Sequence, residues 1–313
     1  MKQLISDLKE HFYSDFEKYS YSFIVSIAIL LISINYIFEF ESRYIRIFYG
    51  KPKGHIIYFL YYAIPYYIAT IPFLAIRKQF FKLKIPEFWV KSIVLLLLLG
   101  IFTSFNHSHF IAGYLSLNEN EMKLAGKLFS FLKRIIPFLI VIFILYWIYD
   151  KNTKEFYGLR MKGLNYSPFF YMLLLIFPFV MIASFLPGIQ SCYPQFKYWN
   201  YSEAFSLNKL EMNFIFLLCY AIDFVSIELF FRGAMVIGFI SILGKEVILT
   251  AAVLYVVIHF GKPMGETISS FFGAYILGVF AFKYKNILGG IIIHISLAWL
   301  IEFAAIFHHF RLK

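Results

Sequence analysis

An all-α, polytopic transmembrane bundle is the fold this sequence predicts, and three observations lead to it. Of 313 residues, 61% are hydrophobic and only 15% are charged, against roughly 45–50% and about 25% in soluble domains. The mean hydropathy is +0.72. Apolar runs close to the ~20 residues that a helix needs to cross a bilayer recur along the chain, with short basic clusters between them. This is more apolar surface than one water-soluble core can hide. A disordered chain, a disulfide-rich secreted module and an ordinary soluble enzyme are excluded together.

Segment 1–19 mixes charge with scattered apolar positions and lacks the pattern of a signal peptide, so it predicts an interfacial amphipathic helix. Apolar runs at 20–38, 56–76, 91–111 and 134–149 predict the helices of an N-terminal transmembrane unit, 20–160. Those at 168–186, 212–240, 246–259, 267–283 and 288–308 predict the helices of a second unit, 161–313. Eight or nine spans result, because 246–259 is short and 212–240 is too long for one straight helix. Pro137, Pro168, Pro178 and Pro187 mark kinks or ends. The long loops are 106–127 and 187–211, the second rich in interface-type aromatics.

The formal charge of +11 comes from 29 Lys and Arg against 18 Asp and Glu. The positive residues cluster between apolar runs, as in Arg77, Lys78, Lys82 and Lys84, and again in Lys151, Lys154, Arg160 and Lys162. That pattern predicts loops facing anionic lipid and argues against a nucleic-acid partner. A cytoplasmic N-terminus puts both clusters inside but leaves Arg43, Arg46, Lys51 and Lys53 outside, a slight bias toward that orientation. Cys192 and Cys219 form neither a metal spacing nor a disulfide framework.

A charge inside a bilayer costs at least about 2.5–3.5 kcal/mol on insertion scales, so each one needs a reason. The sequence places its intramembrane chemistry after residue 210. Asp223, Glu228 and Arg232 fall within ten residues, and Glu228 and Arg232 lie one helical turn apart on one face. An isolated pair of this kind is a structural ion pair. Here His259 ends the next apolar run and His294 lies deep in the last, with Glu302 eight residues on. Two histidines beside an intramembrane Glu–Arg pair predict a convergent polar site. In such a site a buried Glu serves as base toward water, and a neutral His donates a hydrogen bond or binds metal.

In their order, Ile-Glu-Leu-Phe-Phe-Arg-Gly at 227–233, Tyr255-xxx-His259 and His294 resemble the CAAX protease and bacteriocin-processing family, also called Abi. Its members are intramembrane proteases with Glu-Glu-xxx-Arg, Phe-xxx-His and His-xxx-Asn/Asp motifs. The resemblance spans roughly 160–305 and includes Ala-Ser-Phe at 183–185 and the 271–278 stretch. It implies an endopeptidase in a bacterial inner membrane that hydrolyses a peptide bond near the membrane surface. Glu228, Arg232, His259 and His294 occupy the second glutamate, the arginine and the two histidines. The first glutamate falls on Ile227, the terminal Asn/Asp on Ala298, and Tyr255 stands where Phe is usual.

Asp223 lies one turn before Ile227 and Glu302 one turn after Ala298, so each is a substitute for a lost polar group or else a local structural residue. Glu228, His259 and His294 also match the donor types of an open zinc site, so a divalent metal is a candidate cofactor. Expected partners are membrane lipid and a peptide or protein substrate. The two missing family residues support an alternative: a catalytically impaired relative acting as scaffold, immunity factor or subunit of a membrane complex. A transporter is disfavoured, since no matched pair of broken segments is visible. His107 and His109 form a loop pair read as solvated, and Gly-Lys-Pro-Met-Gly at 261–265 lacks the phosphate-loop spacing.

Overall fold

The computed structural model describes residues 2–106, 111, 114–153, 155–160 and 165–311, and every named element among them is helical. His107, His109, Lys154 and Lys162 lie outside the described residues. In chain order the main helices are α1 (Lys2–Asp15), α2 (Lys18–Phe38), α3 (Gly54–Ile76), α4 (Pro86–Ser104), α5 (Glu119–Leu132) and α6 (Ile135–Leu145). They continue with α7 (Ser167–Ala183), α8 (Lys209–Glu228), α9 (Val247–Val257), α10 (Met264–Tyr284) and α11 (Leu288–Arg311).

Seven helical stretches among the described residues are long and apolar enough to cross a membrane, which makes the chain an integral membrane protein. They are α2, α3, α4, the Glu119–Asp150 stretch holding α5 and α6, the 49-residue stretch Lys209–Val257, α10 and α11. α7 is apolar but shorter. Ile29 and Leu30 on α2, Ile140 and Phe143 on α6, and Leu174 and Phe179 on α7 are exposed despite their size, as a lipid-facing surface requires. By contrast every residue of α9 is buried. α9 packs on α2, α3 and α10, and is the centre of the bundle.

The ends of these helices are set locally. Asn118 and Asn208 each accept a backbone N–H from the residue three on, Glu121 and Glu211, whose side chains return the bond. Pro86 opens α4 at a position where its missing N–H costs nothing. The 209–257 stretch bends as its length predicted. Past Glu228 the chain winds π-helically over Leu229–Val236 and tightens over Ile237–Phe239. It then turns at Gly244, whose φ of 70° suits glycine.

Two expectations are corrected here. The loop expected at 106–127 contains the start of α5, because Lys127, Lys133 and Arg134 mask a helix that runs on into the apolar α6. Nor is the intramembrane chemistry confined to positions after 210. Lys91 of α4 is buried between Glu87 (2.5 Å), Asp150 (2.6 Å) and the Gly238 carbonyl (2.8 Å), while Arg134 pairs with Asp223. A buried ammonium is tolerable there because it is fully paired.

α1 docks by charge. Arg77 Nη1 donates to Asp15 (2.6 Å) and reaches Glu246 (3.3 Å), which also holds Lys82 (3.1 Å). Lys283 of α10 pairs with Asp7 (2.7 Å) and Glu10 (2.6 Å). Burial pushes the Asp15 carboxyl up, but the Arg77 hydrogen bond and charge and the Tyr21 hydroxyl outweigh it and hold it below the usual carboxylate range. A depressed carboxylate adds stability above its unfolded value and loses it as pH falls through the folded one. Acidification below about pH 4 is therefore expected to release α1, seen as faster amide exchange in residues 2–15. Unchanged protection at low pH counts against the ion pair as the tether.

Candidate functional site

Three stretches of chain converge: the end of α8 with the π-helical turns after it, the last turns of α9 with the residues just beyond, and the first half of α11. Glu228, the final residue of α8, is completely buried. Arg232 Nη1 lies 2.9 Å from its Oε1, the i,i+4 pair expected from the sequence. His294 Nδ1 approaches the same oxygen at 2.6 Å. π-Helical turns such as the one carrying Arg232 are rare and recur at functional sites.

Tyr255 joins this pair to α9. Its hydroxyl lies 3.0 Å from His294 Nε2, and the Arg232 guanidinium sits 4.4 Å above its ring, a cation–π contact in a dry setting. One turn on, His259 Nδ1–H donates to the Tyr255 carbonyl (2.8 Å), so the neutral ring carries its lone pair on Nε2. Phe224 of α8 stacks on His294 at 5.6 Å and fixes the imidazole plane.

The Glu228–Arg232–His294 contacts are close in distance, but none has hydrogen-bond direction. Both Glu228 oxygens, both Arg232 terminal nitrogens and His294 Nδ1 are buried without a hydrogen bond. A purely structural buried ion pair stabilises only when those atoms are satisfied, and such exceptions concentrate at working sites.

Gly290 makes room for the carboxylate. A Cβ there would stand 2.0 Å from Glu228 Oε2 and 2.9 Å from its Cδ, with no open space for a fully buried side chain to enter. Gly290→Ala is expected to displace the carboxylate and lower any cleavage rate about 100-fold, the cost of a misplacement near 1 Å. The rate loss should exceed the loss of thermal stability. A variant with wild-type turnover shows that the carboxylate position is not critical.

Asp223 sits elsewhere. It receives Arg134 Nε (3.1 Å) and Nη2 (2.5 Å) side by side and ties α8 to the bend between α5 and α6. Asp223→Asn is therefore expected to lower the unfolding temperature while sparing turnover per folded molecule. A turnover collapse without a stability change makes Asp223 a base. Glu302 lies in another network, where both oxygens accept the Gln195 backbone N–H (3.1 Å) and Gln195 Nε2 donates to the Tyr220 hydroxyl (2.9 Å). It anchors the 187–208 loop.

These side chains do not fit the zinc that the sequence made a candidate. Both His294 nitrogens already face partners, Arg232 shares Glu228, and no three His, Cys, Asp or Glu among the described residues are placed to hold one ion. Neither of the two cavities described is lined by Glu228, Arg232, His259 or His294. One, of about 340 Å³, lies beside Glu41, Arg46, Tyr58 and Tyr61 and is also lined by Val257, Ile258 and Gly261 around His259, and the other, of about 460 Å³, lies beside Lys123, Cys192 and Gln195.

Sequence reasoning brought Glu228, Arg232, His259 and His294 together and missed Arg134, Gln195 and Gly290. Only Gly290 left a signal, a Gly-Gly pair opening an apolar helix. Residues 209–300 match the family model described as Type II CAAX prenyl endopeptidase Rce1-like. This segment contains Glu228, Arg232, Tyr255, His259, Gly290 and His294, and bears out the resemblance to the CAAX protease family. No curated protein and no solved structure matches the chain.

Proposed function

From the CAAX protease family match over residues 209–300, we propose that this chain is an endopeptidase of a bacterial inner membrane, with eight or nine spans, that hydrolyses a peptide bond near the membrane surface. The observation that carries the reading is the convergence of a buried carboxylate, a guanidinium and two imidazoles from three helical stretches inside the matched segment. Hydrolysis needs a base for the attacking water, a proton donor for the leaving amine and a fixed geometry. Glu228 with His294 forms the base, Arg232 pairs with Glu228 and holds it in place, and His259 Nε2 orients a water or the peptide N–H. Membership of a protease family supports a peptide or protein substrate.

The test is cleavage of membrane-anchored peptides by the purified protein in lipid vesicles, with products identified by mass. Cleavage by wild type that survives 1,10-phenanthroline and is lost in His259→Ala supports this metal-free form. Loss with the chelator and recovery on adding zinc transfers the water to a metal. A second reading, a scaffold or subunit in a membrane complex, draws on Ile227, an apolar residue packed against the core where the family carries its first glutamate. Stoichiometric co-purification of another membrane protein with an inactive chain favours it, and an active monomer rejects it.

A further inference from the structure

Tyr255 is the one hydroxyl described within hydrogen-bond distance of the cluster's imidazoles, and its surroundings are specific. Its oxygen is 3.0 Å from His294 Nε2, while the other nitrogen of that ring faces Glu228 Oε1 at 2.6 Å. An unprotonated Nδ1 against a carboxylate oxygen is repulsive, so the neutral ring carries its proton on Nδ1. Nε2 then bears the lone pair, and the contact with Tyr255 is a donation from the phenol. By distance, hydroxyl, imidazole and carboxylate follow one another in the order donor, base and orienting acid, the order that activates a weak acid for proton transfer. The Arg232 guanidinium, 4.4 Å above the phenol ring, favours negative charge as it develops there.

Glu228 is completely buried and each His294 nitrogen faces a protein atom, Glu228 Oε1 or the Tyr255 hydroxyl, so a proton bound for Nε2 meets the Tyr255 hydroxyl first. We propose that Tyr255 carries the proton between the attacking water and the His294–Glu228 pair, taking the place left without a carboxylate at Ile227. This rests on the peptidase reading above.

The steps balance. As the water oxygen bonds to the peptide carbonyl carbon, the C=O π pair moves onto oxygen. One water proton passes to Tyr255 Oη, and the phenol proton passes to His294 Nε2, leaving an imidazolium against Glu228. On collapse the C–N bond breaks and the amine takes a proton from Tyr255 Oη, which regains its own from His294. The products are an amine and a carboxylic acid, which ionises to solvent.

The experiment is Tyr255→Phe, which keeps the ring and removes one oxygen. In vesicles, kcat on a cleaved membrane-anchored peptide should fall about 100-fold with KM little changed, the scale of one general acid–base group. The wild-type proton inventory in mixed H2O and D2O should be curved, with two protons in flight, and the variant's should not. ¹⁵N spectra of histidine-labelled wild type should show Nδ1 protonated on His294, and Nε2 should move on loss of the phenol. An active wild type with an equally active Tyr255→Phe and unchanged inventory overturns the relay alone. A wild type that cleaves nothing overturns the peptidase reading and the relay with it.

Discussion

Glu228→Gln is expected to lower peptide cleavage by about 10²–10⁴-fold, the range of a positioned acid–base group. The amide keeps the shape of the carboxylate but cannot balance the charge that His294 gains or that of Arg232, both within 3 Å of Oε1. His294→Ala removes the other half of the same device. Residues that act as one unit lose function together, so Glu228→Gln/His294→Ala should be no slower than the worse single variant. Single-turnover cleavage in vesicles, with folding checked by size-exclusion elution, separates the cases. Additive losses split the pair into independent roles. Undiminished cleavage in Glu228→Gln removes Glu228 from the reaction.

Arg232→Met should give the largest stability loss in the molecule. Arg232 is 2% exposed and Glu228 not at all, so the change leaves a buried carboxylate with His294 as its one remaining close polar partner described. Breaking a buried pair from one side costs about 3–5 kcal/mol. Replacing both partners should recover much of that loss, because an uncharged pair leaves no uncompensated charge. Thermal unfolding in detergent should rank wild type first, Glu228→Gln/Arg232→Met next and Arg232→Met last, with both variants inactive. An Arg232→Met protein as stable as wild type would mean that the carboxylate is protonated in the fold.

The helices were legible because a membrane span declares itself by length and composition, and the 212–240 run was legible as bent because it exceeded a bilayer. α5 was hidden by Glu119, Glu121, Lys123 and Lys127, which read as loop charges until α5 and α6 are seen as one passage. The Asn118 and Glu121 pair was the available signal. In the site, Glu228 and Arg232 could be paired because four residues of helix are a local distance. The partners of Tyr255, Asp223 and Glu302 could not. They lie 39, 89 and 107 residues away, and which helices touch is a matter of packing that no spacing encodes. Lys91 was passed over because a lone lysine in an apolar run resembles a boundary, and its partner Asp150 lies 59 residues on.

The clasp on α1 has a consequence for the order of biosynthesis. Lys283 and Asp7 are 276 residues apart, and Lys245 reaches back to the Ser14 carbonyl across 231. The Asp7 end of α1 thus waits for a helix made far later, and its clasp is complete only when α10 has been inserted. Chains stalled or cut before that point carry Asp7 and Glu10 without Lys283, while Asp15 already has Arg77. An α1 whose Asp7 and Glu10 lack their cation then distinguishes an unfinished bundle from a finished one.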